Sequence, residues 1–277
     1  MPRFGLLKIT SVFVFVISHQ ILADDTPLAL IGETLVPIRS TEIQLVNEDV
    51  NVHAHVKKVV GYEWPDDATV SATLRFRNPT DKDVSLLIGF PIDKMFGNPK
   101  DPEEGGNYQV EKLNFRADAD GQTVKPRIFE DKNLERLWYV WEQTFPAKKL
   151  ISIKHSYWLY WGGNHIAPES FNVRYFQYIL TTGSLWHGNI ERATITIHFD
   201  QALDQRYFYG FPKPTEQTAR RVQWEFKDFE PESEVVFAYS WASDKMAALS
   251  FVKMINNRAR TEATSIVHEI KRVGLQK

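Results

Sequence analysis

The chain has 277 residues, of which 43% are hydrophobic, 25% are charged and 13% are aromatic. These proportions are those of an ordinary folded protein and exclude a disordered or collagen-like chain. The length suffices for one large hydrophobic core or two small ones, since domains cluster near about 100 to 150 residues. With 33 basic against 35 acidic residues there is no basic excess, and hence no indication of nucleic acid binding.

The first 23 residues have the pattern of a secretory signal peptide. Arg3 and Lys8 precede an apolar run over residues 9–17, and Ala23 stands at a candidate cleavage site. An uncleaved membrane anchor is the alternative, because the residues just before Ala23 suit cleavage poorly and the apolar run is short. Once the signal peptide is removed, we expect no segment that spans a membrane.

The sequence contains no cysteine and no Asn-x-Ser/Thr glycosylation site in which x is not Pro. Disulfide bonds therefore cannot stabilise the chain, which needs a hydrophobic core of adequate size. Together with the signal pattern, these features fit a secreted or periplasmic bacterial protein. No nucleophile elbow, zinc-binding helix, phosphate loop or dinucleotide-binding motif occurs, so the sequence favours a protein without a cofactor and without catalysis of its own.

Alternating hydrophobicity predicts a mainly β protein. Apolar and polar residues alternate over 50–57, 68–76 and 193–199, as they do in strands with one buried face. Turn-forming residues separate these segments at the short intervals typical of antiparallel β-sandwiches. Only the end of the chain differs, because apolar stripes at helical spacing predict two short α-helices over 243–277, with Ser243 as the N-cap. We expect these stripes to pack on the β-sheets rather than in a partner's groove.

An internal repeat predicts two related antiparallel β-sandwich units. "ATVSATLRF" followed by "IGFP" resembles "ATITIHF" followed by "YGFP" later in the chain, and "WEQTFP" resembles "WEFKDFEP" in the same order. Convergent strand and turn composition is the alternative explanation. The repeat predicts a first unit over residues 24–165 and a second over 166–242, followed by the C-terminal helices over 243–277. The first unit carries an insert over 93–133, and such loops on a rigid scaffold often carry function.

The most aromatic part of the chain, residues 136–160, is predicted to form a β-hairpin. A five-residue loop from Pro146 to Leu150 separates apolar from polar side chains across the two strands and places Glu142 opposite Lys154. The residues that this register turns toward the core are Tyr139, Trp141, Tyr157 and Trp161.

The opposite face of the predicted hairpin carries the candidate ligand site. Trp138, Trp158 and Tyr160 lie there among polar residues, with Arg136 beside them and Asn164 in the following loop. Aromatic rings on an exposed sheet face can stack on the apolar side of a sugar ring. We therefore expect a glycan or an envelope protein to bind here. Burial of the rings under the second unit or the C-terminal helices is the alternative.

His53 and His55 are the candidate metal ligands. They lie two apart on one face of a predicted strand, about 7 Å from each other, a spacing compatible with joint ligation. No third ligand can be named and histidine pairs on the solvent face of strands are common, so we expect no metal site. The motif "DADG" resembles the start of a calcium loop but lacks the remaining ligands. Asp120 and Gly121 within it predict a two-residue hairpin turn instead.

Three blocks occur in the order "ATVSATLRFRNPTDKDVSLLIGFP", "WEQTFPAKKLISIKHSY" and "YILTTGSLWHGNIERATITIHF". They resemble a group of secreted bacterial proteins known only as a domain of unknown function, and the similarity runs from Thr41 to Tyr239. The first block also looks like the strand pattern that begins the β-sandwich of vault and inter-alpha-trypsin-type domains. The resemblance implies a secreted β-sandwich and carries over no catalytic residue. Within "TTGSLWHG" we expect a turn that packs Trp186 into the core.

The sequence thus predicts a secreted β-sandwich protein that binds a glycan or a cell-envelope partner without catalysis. A cell-envelope hydrolase with acidic residues in its loops is one alternative, since the paired carboxylates that cleave glycosides can be distant in sequence. A structural or assembly protein that uses the C-terminal helices is the other.

Overall fold

The computed structural model describes residues 26–31, 34–37, 42–59, 62–92, 113–131, 136–166, 171–240 and 252–253. Within these ranges the chain forms seventeen β-strands and two short 3-10 helices, Thr181–Leu185 and Gln205–Tyr207. The predicted mainly β fold is therefore confirmed. In chain order the strands are β1 Thr26–Ile31, β2 Thr34–Pro37, β3 Gln44–Val59, β4 Tyr62–Arg77, β5 Val84–Ile92, β6 Arg116–Ala119, β7 Gln122–Val124, β8 Arg127–Asp131, β9 Arg136–Phe145, β10 Leu150–Tyr160, β11 Gly162–Ile166, β12 Phe171–Tyr178, β13 Ile190–Phe199, β14 Phe208–Phe211, β15 Glu216–Thr218, β16 Arg221–Phe229 and β17 Val235–Ser240.

The strands form three sheets in a sandwich-like arrangement. The central sheet has eight strands in the order β15-β16-β13-β3-β4-β10-β6-β7. The first cover sheet has the order β2-β1-β5-β9-β8, and the second cover sheet has the order β11-β12-β17-β14. Side chains from both cover sheets join one hydrophobic cluster with the inner face of the central sheet. The two cover sheets therefore share that face between them.

The core lies between the central sheet and its two covers. Over one half, Phe90 of the first cover sheet packs on Tyr157 of β10, with 5.2 Å between the ring centroids. Over the other half, Phe237 of the second cover sheet packs on Phe199 of β13 at 5.7 Å and on Trp224 of β16 at 6.5 Å. Aromatic side chains thus fill both halves of the core, which accounts for the high aromatic content of the sequence.

Strand β3 shows how alternating residues build this core. Its apolar residues from Val50 to Val56 are buried, whereas His53 and His55 between them are exposed. Successive side chains of a strand point to opposite faces, so one face can be wholly apolar and the other polar. Each fully buried valine contributes about 2 kcal/mol relative to an exposed one.

The two predicted sandwich units share the central sheet. Five of its strands come from the predicted first unit and three, β13, β15 and β16, from the second. The two sets meet where β13 runs parallel to β3, with His198 paired to His53. Strand β11, which has all but its last residue in the predicted first unit, pairs with β12 in the second cover sheet. A division into two domains at residue 165 stays a prediction.

The blocks of the predicted repeat occupy only partly matching places. Strands β4 and β13 both lie in the central sheet, and β5 and β14 both lie in cover sheets. The third pair of blocks, "WEQTFP" and "WEFKDFEP", lies in different layers. Strand β9 with Trp141 belongs to a cover sheet, whereas β16 with Trp224 belongs to the central sheet. Both tryptophans are buried. The similarity of these two blocks therefore reflects strands with an inward-facing aromatic ring, not equal positions in the fold.

The predicted hairpin of β9 and β10 is wrong. Strand β9 pairs with β5 and β8 in the first cover sheet, whereas β10 pairs with β4 and β6 in the central sheet. The segment 146–149 therefore connects two layers instead of two neighbours within one sheet. Glu142 and Lys154, which the predicted register places opposite each other, lie in different sheets. The residues predicted to face the core are nevertheless buried: Tyr139, Trp141, Tyr157 and Trp161.

The predicted turn at Asp120 and Gly121 is confirmed. It joins β6 to β7, and both residues have positive φ angles, 48° and 81°, as the two-residue turns of β-hairpins require. The N–H of Gly121 donates a hydrogen bond to Oδ1 of Asp118 at 2.7 Å. The first carboxylate of the "DADG" motif therefore closes the turn.

Asn78 is the polar centre of the turn between β4 and β5. Its side-chain amide donates hydrogen bonds of 2.8 Å to the carbonyl oxygens of Lys82 and Phe145. Its Oδ1 accepts a hydrogen bond from the backbone N–H of Thr80 at 2.9 Å. Asn78 is buried, so these bonds form away from water and tie the turn to the end of β9.

We expect Asn78→Ala to lower the free energy of unfolding by about 2 to 3 kcal/mol, because buried backbone groups lose their partners. Asn51→Ala is the matched control. It removes an amide that donates to Asp49 on the exposed face and should change stability by less than about 0.5 kcal/mol. Urea unfolding followed by tryptophan fluorescence measures both variants. Equal, small losses in the two would contradict the role of Asn78.

The segment "TTGSLWHG" forms a 3-10 turn that packs into the core, as predicted. Trp186 is fully buried and contacts Phe76 and Phe145, with ring centroids 4.6 and 6.1 Å away. A Cβ atom on Gly183 would come within 2.8 Å of Cδ1 of Ile190. The close packing of the turn therefore favours glycine at this position.

Glu234 holds the N-terminal end of this 3-10 helix. Its carboxylate accepts hydrogen bonds from the backbone N–H of Leu180 at 2.5 Å and of Thr181 at 3.3 Å, and from the hydroxyl of Thr181. Burial raises the pKa of Glu234 to about 7, although the hydrogen bonds from Thr181 and Leu180 act in the opposite direction. Glu234 is thus an internal support of the fold.

The outer face of the second cover sheet is apolar and contacts the C-terminal part of the chain. Residues 252–253 are helical, and Val252 is buried there in one cluster with Val173 and Val236. This contact fits the predicted packing of an apolar stripe on the sheets. The rest of the predicted C-terminal helices and the predicted signal peptide lie outside the described residues. Within the ranges that the structure describes, no helix is long and apolar enough to cross a membrane.

Candidate functional site

The outer face of the central sheet is largely polar. Its side chains come from alternate residues of the strands, those that point away from the cover sheets. Asn51, Ser71 and Ser156 form one row of small polar residues across β3, β4 and β10. Rows nearer one end of the sheet carry aromatic and basic side chains. We define the candidate site as the following residues: His53, His55, Asp67, Thr69, Trp158, Tyr160, His198 and Arg221.

Trp158 and Tyr160 form the aromatic end of the candidate site. Their rings meet edge to face, with 4.4 Å between centroids and 73° between planes. Both residues are half-buried, so part of each ring is accessible. The indole Nε1–H of Trp158 donates a hydrogen bond to Oδ1 of Asp67 at 3.2 Å. This bond restricts the orientation of the indole and prepares its ring for stacking.

The carboxylates beside the aromatic pair are engaged with cations or donors. Asp67 also contacts Nδ1 of His55, and the histidine side chain is 50% exposed whereas that of Asp67 is 16% exposed. Asp66 forms an ion pair with Lys57, and this contact raises the pKa of Lys57. Asp67 therefore links the exposed imidazole to the indole of Trp158.

His53 and His198 form a stacked pair on the same face. Their ring centroids are 5.2 Å apart and their planes differ by 15°. Arg221 lies next to His198 in register, and its guanidinium is held by Glu216 at 3.1 Å and by Gln223. Burial lowers the pKa of His198, and the electrostatic influence of His53 and of Arg221 lowers it further. Near neutral pH the imidazole of His198 is therefore neutral, with one ring nitrogen as donor.

Trp138 does not share the face that carries Trp158, and this prediction is wrong. Trp138 is 2% exposed and packs with Val140, Leu87 and Phe129 on the outer face of the first cover sheet. Because β9 and β10 lie in different layers, their outward side chains point to opposite sides of the sandwich. Trp138 is therefore not available for stacking beside Trp158.

Arg136 and Asn164 also lie outside the central sheet. Arg136 begins β9 and its backbone pairs with Asp131 of β8, while Asn164 lies in β11 opposite Val173. The side chains of both residues fall outside the described part of the structure. Of the five residues predicted to bind a ligand, the structure brings together Trp158 and Tyr160.

The two candidate metal ligands have separate partners. His53 stacks on His198, whereas His55 contacts Asp67. Among the described side chains, no group of three or more histidine, aspartate or glutamate residues could hold a metal ion. The described residues thus offer His53 and His55 no third ligand, and the expectation that they form no metal site stays a prediction.

Sequence reasoning missed four residues of the candidate site: Asp67, Thr69, His198 and Arg221. Strand alternation could have placed His198 on the outer face, because its neighbours Ile197 and Phe199 face inward. Its contact with His53 depends on the parallel pairing of β3 with β13, two strands that are far apart in the sequence. No local pattern predicts such a pairing.

Residues 66–134 match a family described as a domain of unknown function (DUF4424). This match confirms a domain of unknown function over a segment that includes most of β4, all of β5 and the short strands β6 to β8. Asp67 and Thr69 of the candidate site lie within it. No curated protein matches the chain.

One solved structure shows a similar fold. The crystal structure of a "putative nutrient binding protein" from Legionella pneumophila subsp. pneumophila str. Philadelphia 1 has a TM-score of 0.53 and 16% identity, over 79% of this chain and 70% of that chain. Two structures of an M1 zinc metallopeptidase from Deinococcus radiodurans cover 73% of this chain and 44% and 43% of theirs, at 9% and 11% identity. Their TM-scores of 0.34 and 0.35 do not establish a shared fold.

Proposed function

We propose that this protein binds a glycan on the outer face of the central sheet and has no catalysis of its own. The observation that carries the proposal is the accessible aromatic pair of Trp158 and Tyr160, with the indole oriented by Asp67. The fold likeness to a protein described as nutrient binding supports a binding role. The proposed place of action is the periplasm or the cell exterior, as the pattern of the first 23 residues indicates.

The chemistry of the aromatic pair suits a sugar ring. One side of a pyranose carries several C–H groups and can stack on an aromatic ring, which removes apolar surface of both from water. The sugar hydroxyl groups at the rim of that contact need hydrogen-bond partners. Asp67 and Nε2 of His55 next to the rings provide acceptors, and the hydroxyl of Thr69 in the adjacent row provides a donor or an acceptor.

We expect Trp158→Ala to lower the affinity for the best-binding oligosaccharide by at least about tenfold, because truncation of a central tryptophan commonly costs 1.4 kcal/mol or more of binding free energy. Calorimetric titration with cellohexaose, chitohexaose and hexagalacturonate measures the affinities. Calorimetry is preferable to fluorescence here, since eight tryptophans contribute to the emission.

Leu150→Ala is the matched control for this experiment. Leu150 lies on the same strand as Trp158, at the opposite end, and is 51% exposed. Its removal should leave the affinity unchanged. The proposed function is wrong if the wild-type protein binds none of these oligosaccharides and no sulfated heparin hexasaccharide, or if Trp158→Ala binds its ligand as tightly as the wild-type protein does.

A further inference from the structure

A row of side chains crosses the central sheet from the aromatic pair to a group of basic residues. The strand registers pair neighbours in this row in the order Trp158, Thr69, His53, His198 and Arg221. Neighbouring strands lie about 4.8 Å apart, so His53 lies about 10 Å from Trp158 and Arg221 about 19 Å from it. We call His53, His198 and Arg221 the basic row.

We propose that the ligand of this face is an anionic saccharide, with one sugar ring on Trp158 and an acidic group of a sugar further along the chain on the basic row. The inference rests on the proposed function and adds to it the charge of the ligand. The span from Trp158 to His53 is two strand spacings, which is a distance that a short run of linked sugar rings can cover.

The basic row is accessible and held in place. His53 is exposed, His198 is half-buried beneath the stacked ring, and the guanidinium side chain of Arg221 is 40% exposed. Glu216 and Gln223 fix the guanidinium from one side. Donors that are already ordered before binding lose less conformational entropy when an acidic group reaches them.

The carboxylates nearest to the row have partners of their own, and Glu216 among them lies 3.1 Å from a guanidinium nitrogen of Arg221. Asp67 contacts His55 and Trp158, and Asp200 accepts a hydrogen bond from the backbone N–H of Val56 at 2.9 Å. Within the row itself, the described residues carry only aromatic, hydroxyl and basic side chains. The row itself therefore offers an anion hydrogen-bond donors and no carboxylate.

An acidic group forms stronger hydrogen bonds with Arg221 than a hydroxyl group does. Hydrogen bonds between a guanidinium and a carboxylate are shorter and stronger than neutral ones. A neutral sugar that covered Arg221 would take the guanidinium partly out of water and add only neutral acceptors to it. The row should therefore discriminate between a saccharide and its neutral derivative.

Hexagalacturonate and its fully methyl-esterified form provide the test, because esterification removes the charge and keeps the sugar chain. We expect the wild-type protein to bind the acid at least about tenfold more tightly than the ester, as one charge-assisted hydrogen bond to arginine suffices for that difference. The advantage of the acid should decrease as sodium chloride is raised, since salt screens exposed charges.

Variants of single residues separate the basic row from the stacking surface. Arg221→Gln should weaken binding of the acid about tenfold and leave the ester unchanged. Arg192→Gln is the matched control. Arg192 lies on the same face of β13, toward its other end, and pairs with Glu225 at 3.2 Å, so this change should affect neither ligand. Trp158→Ala should weaken both.

The outcomes distinguish this inference from the proposed function. The inference is overturned, with glycan binding intact, if the wild-type protein binds acid and ester equally or if Arg221→Gln retains the preference for the acid. A sulfated heparin hexasaccharide that binds in an Arg221-dependent manner, where hexagalacturonate does not, would support an anionic saccharide with sulfate as its charged group. Failure of all neutral and acidic oligosaccharides to bind would overturn the proposed function itself.

Discussion

Trp186→Ala is expected to lower the free energy of unfolding by about 4 kcal/mol, the typical cost of truncating a fully buried tryptophan. The indole of Trp186 is 0% exposed and packs against the rings of Phe76 and Phe145. These three rings join the 3-10 turn to the central sheet and to the first cover sheet. The cavity left by alanine would therefore open where three parts of the fold meet.

Trp158→Ala is the matched control for this prediction, since it removes the same side chain from a half-buried position on the outer face. It should lower stability by no more than about 1 kcal/mol. Urea unfolding followed by circular dichroism compares the two variants without relying on tryptophan emission. If Trp186→Ala proves as stable as Trp158→Ala, the packing of Trp186 does not stabilise the fold as predicted.

The second large effect is a pH dependence of stability that originates at Glu234. Burial raises the pKa of this carboxyl from 4.5 to about 7 in the folded protein. The protonated form is thus favoured by folding, and its contribution is fully present below about pH 4.5. This contribution is lost as the pH rises through about 7. Over that range the unfolded chain releases the proton more readily than the folded protein does, which favours unfolding.

The expected size of this effect is about 3 kcal/mol between pH 4.5 and pH 8, at 1.36 kcal/mol for each unit of pKa. Glu234→Gln cannot ionise, so its stability relative to the wild-type protein should rise by about that amount over this range. Glu232→Gln, at an exposed neighbouring position, should show no such trend. A stability difference between wild type and Glu234→Gln that is the same at both pH values would contradict the prediction.

Strand alternation predicted which side chains face the core. Tyr139, Trp141 and Tyr157 are buried as expected, and so are the apolar residues of β3. This part of the fold could be predicted because the two-residue period is a local property of every strand and does not depend on its partners. The turn at Asp120 and Gly121 was predictable for a similar reason, since it depends on the φ angles that these two residues accept.

The pairing of strands could not be predicted in the same way. The loop that follows Phe145 is short enough for a hairpin, and the predicted register separates apolar from polar residues well. A connection between two layers turns the same residues inward, because Phe145 and Ile151 then face each other across the core. The alternation of apolar and polar residues therefore fits both the hairpin and the connection between layers. The structure adopts the second because β9 pairs with β5 and β10 pairs with β4.

The pairing of strands also decided which residues of the candidate site lie close together. The sequence by itself determined that Trp158 and Tyr160 point away from the core, since that follows from the period of one strand. The tertiary structure alone decided that Trp138 lies on the opposite side of the sandwich and that His198 lies between His53 and Arg221. The physical reason is that the direction of a side chain is a local property, whereas its neighbours are set by hydrogen bonds between strands that are distant in the chain.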